Sequence, residues 1–116
     1  MAFFSNIWEG IRSFFSSVSN LVRRVIRGIL NFVKEVVAWF KKLGLDKEKD
    51  TPFIVDAGKL KQMIDNAPIV DVGIFEAVYD EEQQTITHAR MVEADSLDQQ
   101  TKNTLAQADD GLVVLN

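Results

Sequence analysis

The chain contains no cysteine and a single histidine, His88, among its 116 residues. The first absence removes disulfides, thiolate metal sites, iron–sulfur clusters and cysteine nucleophiles together, and the second leaves His88 without a partner for a metal site or a nucleophile pair. Proline is confined to Pro52 and Pro68, so nothing breaks residues 1–45 by that route. Long apolar runs are missing as well. Ser, Asn, Arg or Lys interrupts every stretch before it reaches about eighteen apolar residues, so no transmembrane helix is expected. A basic leader with a compact apolar segment is also lacking, which argues against a secretory signal. Residues 1–31 have the Arg-rich, Ser-rich, acid-poor look of an organellar transit peptide, but their pattern runs on to Leu43, past any plausible cleavage point.

What is present is a split of charge. The formal net charge is −4, yet residues 1–45 carry a net of +5 and residues 46–116 a net of −9. A basic segment joined to an acidic domain points to an anionic surface for the first and to solvent for the second. The acidic half also argues against nucleic acid as a partner, because phosphate repels carboxylates. The hydrophobic fraction of 47% is ordinary for a folded protein.

In residues 1–45, Phe4, Ile7, Trp8, Ile11, Phe14, Phe15, Val18, Leu21, Val22, Val25, Ile26, Ile29, Val33, Val36, Val37, Phe40 and Leu43 recur at helical spacing, opposite Asn6, Ser13, Ser17, Asn20, Arg24, Arg27, Asn31, Lys34 and Lys41. The expectation is one long amphipathic helix ending near Gly44, behind the cations Lys41 and Lys42. Residues 46–52 read as a charged linker. From 53 to 116 the period changes: a strand at 53–55, a helix capped by Asp56 and stopped by Pro68, a strand over 69–79, a turn at 80–84 and a partner strand over 85–94. A helix opened by a capping box at Ser96–Gln99 and a last strand at 112–115 follow. The fold class expected is α+β, a long N-terminal amphipathic helix followed by a small βαββαβ domain of the ferredoxin-like, split βαβ kind.

Motifs that carry chemistry are few. Asp80, Glu81 and Glu82 fall in a turn where solvation alone explains them. Asp46, Glu48 and Asp50 imitate the first ligands of a calcium loop, but Thr51 and Ala57 stand where that loop needs glycine and glutamate. Gly58-Lys59 lacks the upstream glycine and the hydroxyl residue of a phosphate loop. No convergent set of titratable groups is legible, so no enzyme, no cofactor, no metal and no small-molecule substrate is expected.

Association is therefore the expected activity. A helix of some 40 residues is about 60 Å long, whereas a domain of some 70 residues is about 25–30 Å across, so the domain cannot cover the stripe. A folded-back version needs a break, for which Gly28 is the candidate. The first half of the helix, mostly Ser, Asn and Gly beneath Phe and Trp, resembles the amphipathic helices that sense lipid packing. The leading expectation is a peripheral membrane protein lying on an anionic bilayer, on the cytoplasmic face, with Phe4, Trp8, Phe14, Phe15, Val22, Ile29 and Phe40 inserted and Arg23, Arg24, Arg27, Lys34, Lys41 and Lys42 against the headgroups. The rival expectation is a homo-oligomer or filament whose core is made of these helices.

Overall fold

The computed structural model describes residues 2–17, 21–65, 67, 70–108 and 111–115. The single helix expected over residues 1–45 is replaced by four elements: helix α1 (Ala2–Ser17), strand β1 (Arg23–Leu30), a π-helical segment (Phe32–Val37) and, continuing from it, helix α2 (Ala38–Lys42). Local chemistry accounts for the boundaries. In the last turn of α1 the Ser16 and Ser17 hydroxyls donate back to the Ser13 carbonyl at 2.9 and 3.0 Å, a side-chain pairing that competes with continued helix. Val25, Ile26 and Ile29 are β-branched and favour a pleated strand. Asn31 is extended and its Oδ1 accepts the Lys34 amide at 3.0 Å, capping the segment that follows. Gly28 sits inside β1 at φ +123°, where the register to its neighbour slips between Ile26 and Ile29; only glycine adopts that conformation freely.

Strand β2 (Asp50–Asp56), helix α3 (Ala57–Met63), strands β3 (Gly73–Asp80) and β4 (Thr85–Leu97), helix α4 (Gln99–Ala106) and strand β5 (Leu112–Val114) follow. Asp56 caps α3, its carboxylate accepting the Lys59 amide at 3.2 Å, and β3 and β4 form the expected hairpin. Other expectations shift. The end of the 46–52 segment belongs to β2, with Thr51 buried. The cap of α4 is Asp98 and not Ser96, because Ser96 pairs with Ile29 in the sheet while the Asp98 carboxylate accepts the Thr101 amide at 2.9 Å. α3 ends at Met63; the stop expected at Pro68 lies outside the described residues.

The strands form one mixed sheet in the order β1-β4-β3-β2-β5, with β1 parallel to β4 and every other pair antiparallel. The class is α+β, but the strand count exceeds βαββαβ because β1 is drawn from the N-terminal segment. A split βαβ unit keeps the strands flanking its helix parallel, with a third strand between them. Here β2 and β3, which flank the short α3, pair directly and antiparallel.

β3 is buried along its whole length, and the sheet is apolar on both faces. One face buries Phe53, Val55, Phe75 and Met91 beneath Ile7, Trp8, Ile11 and Phe15 of α1 and Leu60 of α3. The other buries Ile54, Ile74 and Val92 beneath Phe32 and Val36 of the π segment, with Phe40 and Leu105 packed at its margin. The apolar stripe of the N-terminal segment is thus divided between two faces. Gly73, at the start of β3, marks the tightest approach: a Cβ there would stand 2.2 Å from the Val92 carbonyl oxygen. Gly73→Ala should therefore lower unfolding stability by at least about 1–3 kcal/mol, the cost typical of overpacking; an unchanged urea midpoint would show that β3 and β4 separate easily at this point.

Candidate interaction surface

The residues expected to insert into lipid meet different fates. Trp8 and Phe15 are core, only 6% and 4% exposed, because the sheet occupies the apolar face of α1. Phe14 is half-buried against the same cluster, its ring 6.1 Å from that of Phe75. Phe40 is half-buried on the opposite face, edge-on to Trp39 at 4.9 Å. The Phe4 side chain lies outside the described set. Val22 and Ile29 are exposed, at 64% and 63%, and are joined by Val25 at 64% and Val33 at 54%. All four flank or lie on β1, which is an edge strand of the sheet.

The cations on this stretch are of two kinds. Arg23 pairs with Glu93 at 2.9 Å across to β4, and Arg24 holds Glu35 through both oxygens at 2.5 and 3.2 Å. The Arg24 hydrogen bond and charge hold the Glu35 carboxyl below its ordinary value against the opposing effect of burial, and they raise the Arg24 guanidinium further. Arg27, Lys34, Lys41 and Lys42 are exposed and have no ion-pair partner within 4 Å among the described residues. Four exposed aliphatic side chains and two unpaired cations, Arg27 and Lys34, thus share residues 22–34. Exposed ion pairs such as Arg23–Glu93 contribute little to stability, roughly 0–1 kcal/mol, so these charges matter more for what the surface attracts.

Beneath this edge lies a charge network invisible to the sequence reading. Glu76 on β3 is fully buried and sits directly opposite Arg90 on β4, the Arg90 Nε donating to Glu76 Oε1. Arg90 also donates from Nη2 to the Glu35 carbonyl at 2.7 Å and stacks over the Trp39 ring at 4.8 Å. Arg90 therefore ties two strands to the π segment and to α2, and through Glu35 to Arg24 on β1. Glu76 Oε2 meets no donor among the described residues. Burial pushes the Glu76 carboxyl up to about 7, outweighing the opposing pull of Arg90. The one available signal was an acidic residue in the middle of the apolar run from Gly73 to Tyr79, opposite an arginine across a hairpin.

Asp98 forms the second junction. Its Oδ1 accepts the Thr101 amide and hydroxyl at 2.9 and 2.5 Å, and its Oδ2 accepts the Phe32 amide at 2.9 Å, joining the start of the π segment to α4. Burial pushes this carboxyl up, but those three donors together hold it below its ordinary value.

The other sequence candidates are used locally. Asp80 accepts the Glu82 and Gln83 amides at 2.9 and 3.0 Å and so organises the β3–β4 turn. Asp46 and Asp50 bond each other's segment, the Asp46 amide donating to the Asp50 carboxylate at 2.9 Å. His88 is exposed on β4, its Nδ1 beside the Thr87 hydroxyl at 3.2 Å. Among the described residues no three His, Asp or Glu side chains are grouped to hold a metal ion, and no helix is long and apolar enough to cross a membrane. No protein-family model, curated protein or solved structure matches this chain.

Glu76 yields a signed expectation. Its folded pKa lies above the ordinary carboxylate value of 4.5, so the stability linked to its proton is fully present below that value and is lost as pH rises through about 7. Glu35 and Asp98 act in the opposite sense, stabilising above their ordinary values and losing that contribution in acid. Melting of Glu76→Gln, which keeps an oxygen for Arg90, should therefore show a smaller loss of Tm from pH 5 to pH 8 than the parent protein. Parallel curves would mean that Arg90 keeps Glu76 ionised across the whole range.

Proposed function

We propose that this protein is a non-enzymatic peripheral membrane protein that docks on an anionic bilayer by the β1 edge and the start of the π segment, not by a long in-plane helix. The observation that carries the reading is the exposure of Val22, Val25, Ile29 and Val33, each more than half accessible, beside the unpaired cations Arg27 and Lys34. Aliphatic side chains that enter the acyl boundary, set among basic groups that meet headgroups, are the elements of an interfacial anchor. The cytoplasmic leaflet, being the anionic one, is the matching surface.

Self-pairing of β1 in a homo-oligomer uses the same strand but fits its chemistry less well. Arg27 and the bulge at Gly28 interrupt the edge, and charge and bulges are the devices that discourage edge-to-edge pairing. Two copies meeting here would also bring like charges together.

Sedimentation with vesicles decides between them. The protein should pellet with anionic but not with neutral liposomes, and less so in high salt. A basic residue near such a surface contributes about 1 kcal/mol, so the double reversal Arg27→Glu/Lys34→Glu should weaken binding by about tenfold or more. Val25→Asp/Ile29→Asp should do the same with the far-UV circular dichroism unchanged, because neither side chain is core. A discrete lipid-free oligomer that ignores vesicles would overturn the membrane reading and make β1 a protein interface.

A further inference from the structure

On the π-segment face of the sheet, away from the β1 edge, lies an open groove of about 660 Å³. Phe32 and Val37 of the π segment, Phe40 of α2, Leu45, Pro52 of β2 and Leu115, just past β5, supply its apolar wall. The wall is held in place from behind, since Arg90 donates to the Glu35 carbonyl and stacks on Trp39, which in turn packs on Phe40. The backbone on the opposite side is already satisfied, the Leu115 amide donating to the Pro52 carbonyl at 2.8 Å. The groove is lined mostly by apolar side chains, which suits an alkyl chain.

Its lining also carries charge. Lys41 in the last turn of α2 and Lys47 in the following turn both line the opening, and neither has an ion-pair partner within 4 Å among the described residues. Asp50, the acidic residue in the same lining, accepts the Asp46 amide at 2.9 Å and donates its own amide to the Asp46 carbonyl at 2.8 Å, and the two lysines outnumber its charge. Two lysines without ion-pair partners in an otherwise mostly apolar lining complement an anion carried at the end of a chain. The volume is within the range of about 300–1,000 Å³ usual for small-molecule sites, enough for one chain and not for the two of a bilayer phospholipid.

We infer that this groove binds a free fatty acid, its alkyl chain along Val37, Phe40, Pro52 and Leu115 and its carboxylate at Lys41 and Lys47. The groove's lining includes the buried Phe32 but none of the exposed residues Val22, Val25, Arg27, Ile29, Val33 and Lys34, so the inference does not rest on the membrane reading. The test is displacement of a dansyl-labelled undecanoic acid from the full chain, followed by energy transfer from tryptophan. Oleate should displace the probe saturably, and oleyl alcohol, which has the chain without the charge, should do so at least about tenfold more weakly, a difference of about 1.4 kcal/mol. Lys41→Glu/Lys47→Glu, two exposed positions, should lose at least about tenfold in oleate affinity while keeping its circular dichroism, and Val25→Asp/Ile29→Asp should bind oleate as the parent does. Absence of saturable displacement, or equal affinity in the lysine double variant, would overturn the inference whatever the vesicle result.

Discussion

A sheet whose central strand is buried on both faces has two apolar surfaces to cover, and the N-terminal segment covers much of both. α1 lies on the Phe53–Phe75 face, the π segment and α2 lie on the Ile54–Ile74 face, and β1 carries the chain from one to the other by becoming the sheet's edge. A single helix cannot do this. Forty residues of helix would run about 60 Å, while the molecule's longest extent is 37 Å. Breaking the helix removes large apolar side chains from water, each worth about 1.5–3 kcal/mol on burial, and that gain outweighs the helical hydrogen bonds lost at two turns.

The covering layer on the second face is fastened by ions as well as by packing. Burying Glu76 and Arg90 costs several kcal/mol of desolvation per ion before their attraction is counted, so the pair is weak evidence for stability in itself. Its effect is on position. Because Arg90 also donates from Nη2 to the Glu35 carbonyl and stacks on Trp39, it favours one register of the π segment over the sheet. Glu35 then reaches outward to Arg24 and neutralises it. The same network thus fixes the groove wall on one side and determines which cations of the β1 edge stay free on the other.

Elements with local signals were legible in the sequence. The Asp56 cap, the β3–β4 hairpin around its acidic turn, α4 and β5 all sit near where their turn residues and periodicity placed them. The N-terminal segment was not, because Val22, Val25, Ile26 and Ile29 satisfy helical spacing while being β-branched. The contact that decides for strand is with β4, some 70 residues away, as in the Arg23–Glu93 pair. The expectation that the domain could not cover the stripe missed for the same reason: the stripe is too large for one face of the domain, and the chain divides much of it between two faces. Of the proposed contact residues, the exposed Val22 and Ile29 and the cations were legible from composition. Trp8 and Phe15 were not, since an inserting and a core aromatic look alike at helical spacing.

Net charge is a poor guide to what the β1 edge attracts, although the whole chain is acidic at −4. At physiological ionic strength a charge is screened over about 8 Å, whereas the molecule measures 37 × 30 × 27 Å. Carboxylates on the far side therefore hardly reach this surface, and local pairing governs. Glu93 offsets Arg23 and Glu35 offsets Arg24; Asp95, whose Oδ2 accepts the Gly28 amide at 2.8 Å, keeps its own charge beside this edge, so the cationic excess is small. What remains is Arg27 and Lys34 among exposed valine and isoleucine. On the membrane docking proposed above, such a surface would be held to an anion-covered apolar phase by short-range contact and not by a long-range field. Its binding should then depend on apolar depth and nearby charge together, with neither sufficient alone.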